Sequence, residues 1–156
     1  VWNGLALAGG AATVGCCCNM LGFAVISYPD NGVGGLVAQG LGTSMLQVPN
    51  LMRKPVLWIP PVLTSAILGP VATCIFQLRN NGAAISSGMG TAGLVGPIGI
   101  ITGWSNMPKG YAHGAFDWVG MILVCFILPV VLSWAIGKFM RKKGWIKEGD
   151  LKVDLG

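Results

Sequence analysis

The chain has 156 residues, of which 53% are hydrophobic and only 10% charged, with 10 Lys+Arg against 5 Asp+Glu. A soluble domain carries about 25% charged residues, so this chain has too little polar surface to coat a water-soluble globule. The same figures exclude disorder and coiled coil, and because the net charge of +5 comes mostly from one short run (Lys138, Arg141, Lys142, Lys143 and Lys147) and not from a spread basic face, no nucleic-acid partner is expected.

Charge-free intervals mark the elements. Residues 1–29, 31–52, 55–78, 80–108 and 118–137 hold no Asp, Glu, Lys or Arg. Each reaches the roughly 20 residues that cross about 30 Å of hydrocarbon as a helix. The first predicted element, residues 2–28, is rich in Ala, Gly and Cys and ends at a Tyr-Pro-Asp-Asn-Gly turn cluster at 28–32. It opens directly into apolar sequence from Val1, with no basic leader, and reads as a piece of a longer membrane protein or as the ordered part of one. The five cysteines, Cys16, Cys17, Cys18, Cys74 and Cys125, all sit in apolar segments and read as small hydrophobes. Three in a row beside a single isolated histidine make no metal cage, and no cofactor is expected.

The second element, residues 33–52 (VGGLVAQGLGTSMLQVPNLM), is dense in Gly, Ser, Thr and Pro. Irregular backbone at membrane depth is tolerated only where protein or a watery cavity satisfies it, so this segment is expected to be a re-entrant hairpin or broken helix. The third, residues 55–78, is long enough to cross with some tilt and is expected to kink at Pro60, Pro61 and Gly69-Pro70. The fourth, residues 83–105 (AAISSGMGTAGLVGPIGIITGWS), has the same character as the second. The fifth, residues 118–137, is an ordinary span flanked by Trp118 and Trp134.

Orientation follows from parity. The basic run after the fifth span places the C-terminus in the cytoplasm, and Arg53 and Lys54 belong there too. The third span then runs outward and the fifth inward, so the fourth segment must start and finish outside, as a hairpin does. The first half gives the mirror arrangement. Residues 1–54 and 55–108 would form an inverted repeat of span plus hairpin within a membrane domain of residues 1–137, followed by a basic cytoplasmic tail at 138–156. A faint echo supports this: GLGTSML at 40–46 matches GMGTAGL at 88–94. Inverted units that meet at interrupted helices place a transport site near the midplane.

The stretch from Gly88 to Gly93 fits GxGxxG, but its flanks are membrane-like and no acid follows until Asp117, so a dinucleotide site is rejected. Gly88 and Gly90 can instead expose backbone N–H groups to an anionic or polyhydroxylated solute, or serve close helix packing. Polar side chains in apolar segments are the other binding candidates, because leaving them in lipid is costly. They are Thr43, Ser44, Gln47 and Asn50 in the second segment, and Asn80, Asn81, Ser86, Ser87 and Thr91 in and before the fourth. Amides and hydroxyls suit a neutral, hydroxyl-rich solute; interhelical hydrogen bonding is the alternative for any one of them. His113, four residues before Asp117, is a proton-relay candidate or a loop residue at the outer interface. No catalytic triad, P-loop or buried carboxylate pair can be assembled, which speaks against an enzyme.

Residues 46–70, where LQVPN leads into the apolar helix with Ile59-Pro60, together with GMGTAGLVGP at 88–97, resemble the membrane (IIC) components of bacterial phosphotransferase-system sugar transporters. The chain is most similar to the C-terminal half of a IIC-like family that includes toxin-expression regulators of the perfringolysin-regulator type. The resemblance implies a multi-pass protein of the bacterial inner membrane, a homodimer, with two re-entrant hairpins enclosing a sugar site and separate IIB and IIA components doing any phosphorylation. Sugar-transporting members carry a Gly-Glu-Pro type motif on the hairpin; here the stretch from Gly42 to Met45 has no acid. The site roles carried over are therefore Thr43, Ser44, Gln47 and Asn50. The expected fold is all-α: a polytopic membrane protein with about three full transmembrane helices and two re-entrant or broken segments. The expected function is alternating-access translocation of a sugar-like solute, or its sensing without transport.

Overall fold

The computed structural model of the chain describes residues 2–105 and 114–153. Helix α1 (Trp2–Ile26) is the axis on which the other elements pack. Its charge-free stretch Leu5–Ile26 has 22 residues, about 33 Å of helix, enough to cross hydrocarbon.

Beyond α1 the chain turns back on itself. Helix α2 (Tyr28–Val37) is broken inside by Gly32, whose φ of +61° is open to glycine at little cost. From there to the π-helical turn Ala38–Gly42 is about ten residues, so the descending leg covers roughly 15 Å, half a bilayer core. An extended Thr43 reverses the chain, and the turn Ser44–Gln47 with the short helix α3 (Val48–Arg53) climbs back. The return is secured at the end of α1, where Leu51 joins Phe23, Ile26, Leu57, Met140, Ile146 and Leu151 in one buried cluster.

The second crossing, Pro55–Ile75, comprises a 3-10 turn (Pro55–Trp58), helix α4 (Ile59–Pro70) and a π-helical turn (Val71–Ile75). Pro60 and Pro61 occupy the first turn of α4, where a missing N–H costs nothing, and Pro70 is followed at once by the π turn. This crossing is antiparallel to α1. Pro61 lies against Gly22, the Ser65 hydroxyl donates to the Gly15 carbonyl at 3.4 Å, and the Leu78 carbonyl presses on Gly10 so closely that no side chain fits there.

A second hairpin then enters from the opposite end of α1. The Asn80 N–H donates to the Ala6 carbonyl at 2.9 Å. The short helix α5 (Ser86–Met89) and a 3-10 turn (Ala92–Leu94) form its tip, and α6 (Val95–Ser105) returns. Gly99 and Gly103 of α6 pack on Ser86 and on the Asn81–Gly82 backbone, which brings the returning leg back to the end where it began. At 11 residues α6 spans about 17 Å, again half a bilayer core.

The third crossing, Ala115–Lys142, is α7 (Ala115–Ile122), a π turn (Leu123–Ile127) and α8 (Leu128–Lys142). The π turn sits directly before Pro129, which has no N–H for the preceding turn and relaxes the ladder there. This crossing runs parallel to α1, since Met121 and Val124 join Val14 and Cys17 in the core while Gly137 meets Ile26. Thr64 of α4 and Ser133 of α8 share a hydrogen bond of 3.1 Å in the interior. Among the described residues there is no strand, and three helices are long and apolar enough to cross a membrane. The architecture is the all-α, three-crossing arrangement with two broken half-length segments that the composition predicts.

Candidate functional site

Thr91 ties the hairpins together. It is fully buried, and its hydroxyl donates to the Gly40 carbonyl in the π turn of the first hairpin at 2.6 Å. The contact lies beside the middle of α1. Gly90, with φ +53°, packs on the Cys16–Cys17 backbone, where an added Cβ would come within 2.8 Å, while Gly40 rests on Leu21 and Ala24. Gly90 is thus a packing residue pressed on α1, whereas Gly88 faces open space. Of the two readings that sequence leaves for these glycines, close packing holds at Gly90.

The remaining predicted polar residues divide into two clusters at opposite ends of α1. On the second hairpin, the Asn80 side-chain amide donates to the Thr13 hydroxyl at 2.9 Å and to Ser86 at 3.1 Å, and its carbonyl oxygen accepts from the Gly82 N–H at 3.2 Å. Ser86 donates to the Ala83 carbonyl at 2.6 Å. Asn80 and Ser86 are therefore buried and satisfied inside the protein, as polar groups at membrane depth must be. Asn81 and Ser87 face a cavity of about 380 Å³ that Leu5, Ala6, Gly9, Asn80, Gly82 and Ala84 also line.

On the first hairpin, Gln47 is buried and central. Its amide nitrogen donates to the Gln39 side-chain oxygen at 3.1 Å, and its oxygen accepts from the Asn50 amide at 2.9 Å. Gln39 in turn donates to the Ser27 hydroxyl at 3.0 Å. Thr43 stands apart at the reversal, exposed, accepting from the Met45 N–H at 3.1 Å as a cap for the following turn, and Ser44 opens that turn. Asn50 lines a cavity of about 420 Å³ with Met45, Leu46, Pro49, Arg53, Lys152 and Val153. His113 lies outside the described residues; Asp117, its expected partner, accepts from the Gly114 N–H at 3.2 Å and caps α7.

Five buried polar residues escaped the sequence reading: Thr13, Ser27, Gln39, Thr64 and Ser133. The signal that picks out Gln47 applies equally to them, since each is a hydrogen-bonding side chain in a charge-free apolar stretch. Asn31, half-buried, also escapes it, hidden in what reads as a plain turn. Its amide donates to the Leu151 carbonyl at 2.7 Å and its oxygen accepts from the Val153 N–H at 2.8 Å.

Two ion pairs lie at this end. Asp30 accepts from Arg141 at 2.8 Å, and Arg141 also caps the Ile26 carbonyl at 3.0 Å. Lys54 pairs with Asp150. Burial alone would push the Asp150 carboxyl up, but hydrogen bonds from Lys54 and the Lys147 N–H outweigh it and hold the group below the ordinary carboxylate value. No group of three or more His, Cys, Asp or Glu able to hold a metal occurs among the described residues. The arrangement can bind by hydrogen bonds from amides and hydroxyls, at two mouths separated by the Thr91–Gly40 contact.

Compared with known proteins, residues 3–153 match the family described as Phosphotransferase system, EIIC. No curated protein and no solved structure matches the chain.

Proposed function

The chain belongs to the phosphotransferase system EIIC family, a family of membrane transport components, and from that premise we propose that it passes a sugar-like solute across the bilayer by alternating access. The single observation that carries this reading is the tip-to-tip contact of two half-depth hairpins with a cavity on either side of it, each holding at least one side-chain amide. Cavities of about 400 Å³ fall in the range that holds small ligands. Asn81 and Ser87 receive the solute at one mouth and Asn50 at the other, with Thr43, Ser44, Gln47, Asn80, Ser86, Gly88, Gly90, Thr91 and His113 forming or supporting the path between. Amide and hydroxyl donors suit a neutral polyol better than an ion, and the hairpin turn that is acidic in sugar-transporting members has no acid here.

The units that move are residues 1–54 and 55–108, rocking against each other about the Thr91–Gly40 contact. The first hairpin and the basic tail face the cytoplasm of the bacterial cell, by the positive-inside rule. IIB and IIA components supply phosphate there, and the protein works as a homodimer. Proteoliposomes holding the full chain test the reading with a panel of radiolabelled neutral hexoses and hexitols. Saturable uptake of one or more is expected, with Asn81→Ala lowering it about tenfold, the loss of roughly 1.4 kcal/mol of contact. Saturable binding of a panel member with no flux would contradict transport and leave a sensor.

A further inference from the structure

The amide cluster of the first hairpin already holds a ligand, and that ligand belongs to the chain itself. Residues 147–153 fold back across the hairpin. The Leu151 carbonyl accepts from both Gln47, at 2.9 Å, and Asn31, at 2.7 Å, and the Lys152 carbonyl accepts from Asn50 at 2.9 Å. The Leu151 side chain is fully buried among Phe23, Ile26, Leu51 and Leu57. Asp150 pairs with Lys54, and the Gly149 N–H donates to Asp30 at 3.0 Å. Three side-chain amides thus present their donors to a row of two backbone oxygens. That pattern of acceptors, two oxygens spaced along a chain, is also what adjacent hydroxyls of a sugar offer.

We propose that residues 147–153 are an internal ligand: a strap whose Leu151 and Lys152 carbonyls occupy the acceptor positions for solute at Gln47 and Asn50, latched by the Lys54–Asp150 pair. Solute and strap then exclude one another at the Gln47 and Asn50 amides, so the strap, which also walls the cavity beside Asn50, blocks passage beyond that cavity until it is displaced. The proposal rests on the solute reading of the same amides given above. It also connects the mouth to the centre, since Gln47 is bonded to Gln39, which sits in the π turn beside the Gly40 carbonyl that Thr91 holds. A docked strap reduces the fraction of protein able to bind, and apparent affinity falls in proportion.

Two measurements on the full chain in lipid nanodiscs separate the strap from the solute reading. Hydrogen exchange of residues 145–153 reports docking with no solute present. Affinity for the same hexose and hexitol panel, by titration calorimetry, reports competition. Asp150→Asn and Lys54→Met each remove one half of a partly exposed ion pair and should speed strap exchange about threefold. Leu151→Asp places a carboxylate in an apolar cluster and should speed it more than about thirtyfold, with exchange in α1 unchanged. Panel affinity should rise in the same order. Unchanged strap exchange in all three variants overturns the proposal, and so does exchange that rises equally in α1, because the strap would then be part of one inseparable core. Faster strap exchange with unchanged panel affinity also overturns it, while leaving solute binding intact. Faster exchange with no panel member bound by any of the proteins overturns the solute reading, and the competition with it.

Discussion

Thr91 shows how a single side chain can reveal its neighbourhood. A hydroxyl at membrane depth needs an acceptor, and the Gly40 carbonyl is available because a π turn opens the backbone ladder there. Thr91→Val keeps the shape, removes the donor and leaves that carbonyl without a side-chain donor. It should lower the free energy of unfolding in mixed micelles by about 1 kcal/mol, whereas Thr91→Ser should stay close to the parent. Equal stability of Thr91→Val and the parent would mean that the contact adds nothing. Thr91, Gln47, Asn50 and Asn80 are all legible in the sequence as polar residues inside apolar runs. Their partners are not. Gln47 and Asn50 bond to residues more than a hundred positions away, and no local pattern in one sequence encodes such a pairing.

At the level of elements, the crossings follow from charge-free length, and their ends move for physical reasons. The final crossing extends to Lys142, well past the uncharged stretch that ends at Gly137, because lysines on the last turns reach out toward headgroups while the helix continues beneath them. Ile146 and Leu151 fall in the stretch whose sequence predicts a basic tail, yet both are buried in the cluster at the end of α1, since two apolar side chains outweigh the solvation of their charged neighbours. The glycines of the second hairpin are equivalent in composition but differ in environment. Gly90→Ala must move the tip away from α1 and adopt an unfavourable φ, at a cost above about 2 kcal/mol. Gly88→Ala meets nothing within 4 Å and should change stability by less than about 0.5 kcal/mol. Thermal unfolding of the two purified variants side by side checks this contrast, and similar losses at both positions would contradict the packing described for the tip.

For the whole molecule, two hairpins enter beside α1 from opposite ends and stop at its middle, leaving a cavity above and below the closed centre. The parity of basic residues predicts a fourth segment that starts and finishes on one side, because full crossing would put one basic cluster on the wrong side of the membrane. What parity cannot supply is the strap, a feature of tertiary packing. The most direct measurement is labelling of single cysteines by a membrane-impermeant maleimide, applied from one side or the other of sealed, oriented vesicles, in protein whose five native cysteines have been replaced. Met45→Cys and Ala84→Cys each line one of the two cavities. Modification of Met45→Cys from the cytoplasmic side alone, and of Ala84→Cys from the external side alone, is the predicted result; labelling of both from the same side would contradict it.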